Sequence, residues 1–127
     1  MFPEIDYAFY RDTYGGIAIA SEEEFAGYRM LANSFVNTAS AGKYMGAEEW
    51  MSEAQLTVVK YAVCALCDYD KAEEMRKSAN QVSSESVGGH SRSYNIQNRD
   101  ESVIYNDKMR LLSGYLLGTG LLYRGVL

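Results

Sequence analysis

The sequence predicts an all-α protein. The expected architecture is a small bundle of three main helices, with a short N-terminal aromatic segment, a long loop or β-hairpin arm over about 78–101, and an extended C-terminal tail. Three observations carry that prediction. Apolar residues recur at spacings of three and four in three separate stretches, the pattern of a helix with one buried face. Ser21 with Glu24, and Ser52 with Gln55, open two of these stretches with capping-box pairs. Proline occurs once, at position 3, and its absence from the rest of the chain suits long helices. With 127 residues, 47% apolar and 23% charged, the chain reads as one domain over 1–127.

The first twenty residues are aromatic. Tyr7, Tyr10 and Tyr14 have helical spacing, and Gly15-Gly16 then stops any helix, so this segment reads as a stub that docks its rings. The first main helix starts after Ser21, with Glu22, Glu23 and Glu24 favoured by the helix dipole. Its apolar face is Phe25, Tyr28, Ala32, Phe35 and Val36, and it ends by Gly42. The second helix is expected over about 52–77, with an extra turn from Ala47 to Met51 and a stripe of Leu56, Val59, Val63, Leu66 and Tyr69. Residues 78–101 are rich in serine, glycine and asparagine, and Gly88-Gly89 suits a two-residue hairpin turn. The third helix is expected from about Ser102 to Leu117, facing inward with Ile104, Met109, Leu112, Tyr115 and Leu116, with Gly118 just past its end. The tail beyond it is apolar, and it either packs on these helices or docks into another chain.

Charge and composition narrow the function classes. The net charge of -5 argues against a surface built to grip phosphates. Residues 1–51 hold three basic and eight acidic side chains, whereas residues 102–127 hold three basic and one acidic, an asymmetry that suits pairing with copies of itself. No run of apolar residues is long enough for a membrane span, and the N-terminus has no signal-peptide pattern. Two cysteines without an export signal point to a reducing compartment. Eleven tyrosines are an excess, and tyrosine is enriched at protein interfaces.

No residue constellation supports catalysis or a cofactor. Cys64 and Cys67 sit mid-helix rather than at a helix N-terminus, and with His90 they supply too few ligands for structural zinc, so they read as small buried packing residues. His90 is the sole histidine and has no nucleophile elbow near it. Glu22 to Glu24 and Glu48-Glu49 read as solvated helix starts. Gly15-Gly16 and Gly88-Gly89 lack the lysine and the strand–helix context of a phosphate loop. What remains is an assembly module with an arm and a greasy tail. A redox or metal role for Cys64 and Cys67 is the third-ranked expectation, behind a small helical regulatory or adaptor module that binds a cellular partner or DNA, with Lys108 and Arg110 on the third helix its only cationic recognition surface.

Four blocks of the sequence resemble the head–tail connector (adaptor, head-completion) family of tailed bacteriophages and prophages of Gram-positive hosts. They are Tyr7 to Gly16 followed by Ser21 to Phe25, then Ala62 to Leu66, then Ser84 to Gly88 ending at Ser93-Tyr94, and finally Gly120 to Val126. The resemblance implies a non-enzymatic virion protein without cofactor or metal. It implies a ring of about a dozen subunits once assembled, with an isolated subunit that is monomeric or associates weakly. The ring would sit beneath the portal protein at the head–tail interface, after assembly in the host cytoplasm. It would continue the channel through which genomic DNA passes without sequence-specific contacts, and would dock the next head-completion or tail protein. On this reading, Val87, Gly88, His90, Arg92 and Tyr94 of the arm form the subunit or portal interface together with Leu121, Leu122, Tyr123 and Arg124 of the tail.

Overall fold

The computed structural model describes residues 1–87, 101–117 and 119–122. Its elements are a π-helical turn at Phe9–Tyr14, helix α1 at Glu22–Ala39, a 3-10 turn at Ala47–Glu49, helix α2 at Glu53–Val87 and helix α3 at Glu101–Leu116. Among the described residues there is no strand, so the all-α bundle of three main helices with an aromatic N-terminal segment holds.

The helix starts follow the sequence signals. Ser21 Oγ accepts from Glu24 N–H at 3.2 Å, while Glu24 Oε1 reaches back to the Ala20 N–H at 3.4 Å, one residue outside the expected partner. At α2 the box closes in both directions: Gln55 N–H donates to Ser52 Oγ at 3.2 Å, and Ser52 N–H donates to Gln55 Oε1 at 2.9 Å. Helix α1 stops at Ala39, where Ala41 and Gly42 both turn to positive φ. Ala47–Glu49 is the extra turn expected ahead of α2.

Helix α2 corrects the expected arm. It continues through Val87 instead of stopping near residue 77, so 78–87 is helical and the loop reading fails there. Nothing in Ser78 to Val87 is a strong breaker, and a helix already nucleated propagates at little cost per residue. At 35 residues α2 is about 52 Å long. The expected hairpin at Gly88-Gly89 and the cap at Gly118 lie outside the described residues.

Helix α2 is the centre of the packing. Its residues Ala62 to Cys67 are all buried, on every face of the helix, because α1, α3 and the N-terminal aromatics surround it. Helix α3 runs antiparallel to α2: Tyr69 Oη donates to Asp107 Oδ2, Lys108 Nζ lies 3.0 Å from Asp70 Oδ1, and Gln55 Nε2 reaches the Thr119 carbonyl. Helix α1 supplies Phe25, Tyr28, Ala32 and Val36 to the core, and α3 supplies Leu112 and Leu116. Phe35, Leu56, Leu111 and Leu122 pack partly buried at its edge. Tyr115, expected to face inward, is 38% exposed.

The N-terminal segment is the fourth wall. Tyr10 is fully buried; its hydroxyl donates to Asp68 Oδ1 at 2.6 Å and accepts from Ile19 N–H at 3.1 Å. Phe25, Tyr7 and Tyr14 pack around its ring at centroid distances of 5.0, 5.9 and 5.7 Å. Farther up the segment, Phe2 stacks on the buried Tyr44 and Arg29 donates to the Ile5 carbonyl, which seals the start of the chain over the gap between α1 and α2.

Candidate interaction surface

Part of the tyrosine excess is spent inside the molecule. Tyr10, Tyr28 and Tyr44 are buried, and their hydroxyls bond Asp68, Glu74 and Asn33. Burial, together with the neighbouring carboxylates Asp68 and Glu74, pushes the Tyr10 and Tyr28 hydroxyls well above the usual phenol range. Helix α2 from Asp68 to Glu74 thus ties the other elements to it, with Asp68, Asp70 and Glu74 accepting and Tyr69 and Lys71 donating. Lys71 pairs with Glu24 of α1, a contact that holds the Glu24 carboxyl below its ordinary value. Lys108 of α3 pairs with Asp70 and lies 4.6 Å above the Phe35 ring.

Cys64 and Cys67 are buried and free. Burial raises both thiols, that of Cys64 to about 12, the reverse of an activated redox pair. Neither thiol is expected to react with iodoacetamide at neutral pH while the chain is folded, and both are expected to react in denaturant. Mass spectrometry of the labelled protein checks this, and rapid native labelling of either cysteine would contradict the packing described here. Among the described residues no group of three or more His, Cys, Asp or Glu side chains is placed to hold a metal ion, and no helix is long and apolar enough to cross a membrane.

The arm and tail expected to form an interface are rooted at opposite ends of α2. Val87 is the last residue of the helix, and Gly88, His90, Arg92 and Tyr94 lie outside the described residues. The tail lies at the other end. Lys43 Nζ donates to the Gly120 carbonyl at 3.2 Å, and Gln55 reaches the Thr119 carbonyl. Leu121, expected on a docking surface, is instead fully buried in the chain's own core, because the turn at Gly120 directs it back beneath α3. Leu122 is half-buried against that core, and Tyr123 and Arg124 lie outside the described residues.

Sequence periodicity did not reveal where apolar side chains stay on the surface. A groove of about 480 Å³ runs between the three helices, with Leu31, Phe35, Ile104 and Tyr105 in its walls and Lys77 at its rim. Leu31 is 60% and Tyr105 52% exposed, although Tyr105 also contacts the Phe35 ring at 5.7 Å. A second hollow, of about 520 Å³, lies between α2 and α3, lined by Tyr69, Leu111, Gly114 and Tyr115. Gly114 faces open space, so its missing side chain helps to form the notch. Further exposed apolar side chains lie on the short stretch of chain that leads into α2. Gly46 N–H donates to the Met1 carbonyl at 2.8 Å, and Met1, Met45 and the single tryptophan, Trp50, are all exposed. One signal for them was legible: Trp50 directly follows Glu48-Glu49 in a short turn, a poor place to bury an indole.

With this geometry in hand, comparison with protein-family models, with curated proteins and with solved structures finds no match.

Proposed function

We propose that this chain is a non-enzymatic structural subunit, a head–tail connector of a tailed bacteriophage or prophage. It assembles as a ring beneath the portal, continues the DNA channel and docks the next head-completion or tail protein. The observation that carries this reading is the amount of apolar surface left uncovered on a small helical bundle. Ile17, Met30, Leu31, Trp50, Tyr105 and Leu117 are each close to half exposed or more, on several sides of the molecule. A subunit with neighbours on both sides and partners above and below needs apolar contacts on several faces, and the hollows walled by Leu31, Phe35 and Tyr105 and by Leu111 and Tyr115 gather apolar side chains into two such contacts. The all-α bundle agrees with what the sequence resemblance implies, and the acidic balance suits a channel wall past which phosphates slide.

The alternative, a regulatory module that reads DNA, needs free cations on one helix face. Lys108 is paired with Asp70 and largely covered, which leaves Arg110, 80% exposed, as the single cation that α3 turns to solvent, too few for a phosphate-backbone grip.

The test is electron microscopy of the purified chain mixed with portal rings from a tailed phage of a Gram-positive host. Closed rings stacked coaxially on the portal are expected. A chain that stays dispersed at every concentration, with portal present, would overturn the proposal.

A further inference from the structure

We infer that the outer face of α1 pairs with the same face of a second copy of this chain, antiparallel, about a two-fold axis that passes between Met30 and Leu31. The inference goes beyond the connector reading, since it describes the free chain before any partner is met. Past its first residue, α1 exposes Glu23, Gly27, Met30, Leu31, Ser34 and Thr38. At 3.6 residues per turn these six fall within an arc of about 100°, a single stripe along the helix. At its centre Met30 is 66% and Leu31 60% exposed. The chain's own packing does not account for Gly27, a poor residue for a helix interior, because a Cβ there would meet no atom within 4 Å. Close approach of another backbone does account for it.

The spacing of the stripe matches it to its own copy. A two-fold contact sets residue i opposite residue j and j opposite i. With the axis between Met30 and Leu31, Met30 lies opposite the partner's Leu31, Gly27 opposite the partner's Ser34, and Glu23 opposite the partner's Thr38, so every exposed position of the stripe has its match. The small residues let the backbones close, and the Met and Leu side chains fill the centre. Charge sets the direction. Glu22 and Glu23 stand exposed at one end of α1, and no charged residue is exposed from Gly27 to Thr38. A parallel pair would set these glutamates beside their copies. The antiparallel pair puts the two Glu23 carboxylates about 20 Å apart, each facing a hydroxyl that can donate to it. Five charged groups border the stripe in the groove beside Leu31 and Thr38. Asp70 is paired with Lys108, Glu73 with Arg76, and Glu74 accepts from Tyr28. Lys77, which is in no ion pair among the described residues, shares that groove with Thr38 and is opposite in sign to the partner's Glu23. Six side chains a copy is far fewer than the roughly 20–30 a side of a standard interface, so the pair is weak, with Kd on the order of 100 μM.

The test is sedimentation equilibrium of the full chain, without portal, at concentrations on both sides of that Kd. A monomer–dimer equilibrium is expected. Leu31→Lys and Leu31→Glu, each checked for folding by circular dichroism, are each expected to weaken it by at least about tenfold, because the axis brings like charges together. An equimolar mixture of the two variants is expected to regain the dimer, which a loss of folding would not allow. Direction is read by cross-linking under copper phenanthroline. A mixture of Gly27→Cys and Ser34→Cys chains is expected to form a disulfide-linked dimer, the native thiols being buried. Gly27→Cys alone is expected to form none, since the two positions lie about 10 Å apart along the pair. A chain that stays monomeric throughout, a dimer that both Leu31 variants leave unchanged, a mixture that does not recover, or Gly27→Cys chains that cross-link alone as readily as the mixture would each overturn the inference. Ring formation on the portal is read separately, so the connector reading and this pairing fail independently.

Discussion

Replacing Gly16 with alanine is expected to destabilise the protein by about 3 kcal/mol, near the top of the usual range for overpacking a core. A Cβ at this position would lie 2.2 Å from Cζ and 2.3 Å from Cε1 of the Tyr10 ring. The ring has no room to retreat. Its hydroxyl is fixed by Asp68 and the Ile19 amide, and Tyr7, Tyr14 and Phe25 surround it. The neighbouring glycine supplies the contrast. Gly15 has φ of +82° with open space around it, so Gly15→Ala meets only the backbone penalty of the left-handed region, about 1–2 kcal/mol. Urea melts followed by circular dichroism read both, and a loss of about 3 kcal/mol corresponds to a drop in Tm on the order of 10 °C for a domain of this size. Because the clash is with one ring, Gly16→Ala and Tyr10→Leu should be strongly non-additive, coupled by about 1–3 kcal/mol. A Gly16→Ala protein that melts like the parent would show that the aromatic segment does not pack as described.

The glycine pair was visible in the sequence, but only as the stop of an aromatic stub. That Gly16 lies against Tyr10 depends on Asp68, which is 58 residues away from Tyr10 and belongs to another helix. Helical elements were legible because their determinants are local. Ser21 and Ser52 cap helices where their side chains say they should, and the α1 face of Phe25, Tyr28, Ala32 and Val36 is buried as its spacing requires. The extent of α2 was not legible, since the polar stretch after Lys77 resembles a loop in composition yet contains no residue that forbids a helix. The all-round burial of Ala62 to Cys67 did have a signal, six uncharged small or medium residues in a row, which a single-stripe reading discards. The exposed apolar residues were the least legible. Tyrosine abundance pointed to partners, but Tyr10, Tyr28 and Tyr44 bond within the chain, and the exposed apolar side chains are mostly methionine, leucine and the lone tryptophan.

Leu121→Ala is expected to cost about 3 kcal/mol, within the range for emptying a buried leucine site, while Leu122→Ala should cost about 1 kcal/mol or less. After α3 the chain forms a hook. Thr119 Oγ1 donates to the Leu116 carbonyl at 2.8 Å and accepts from the Leu121 N–H at 3.2 Å, and Gly120 takes φ of +79° between them. Lys43 and Gln55 hold the carbonyls of Gly120 and Thr119 from outside. The hook places Leu121 in the same core as Leu112 and Leu116 with no exposed surface, while Leu122 remains half-buried at its edge. A tail that served only to dock would, on deletion of residues 119–127, impair assembly more than folding; burial of Leu121 reverses that ranking. A chain ending before Thr119 loses a core side chain and both hook bonds, so its failure to assemble would report a loss of folding. Docking by the tail is tested instead by Tyr123→Ala and Arg124→Ala, with Leu121→Ala as the folding control. Equilibrium urea unfolding separates the cases, and equal stabilities of Leu121→Ala and Leu122→Ala would place the tail outside the core and return it to the partner surface.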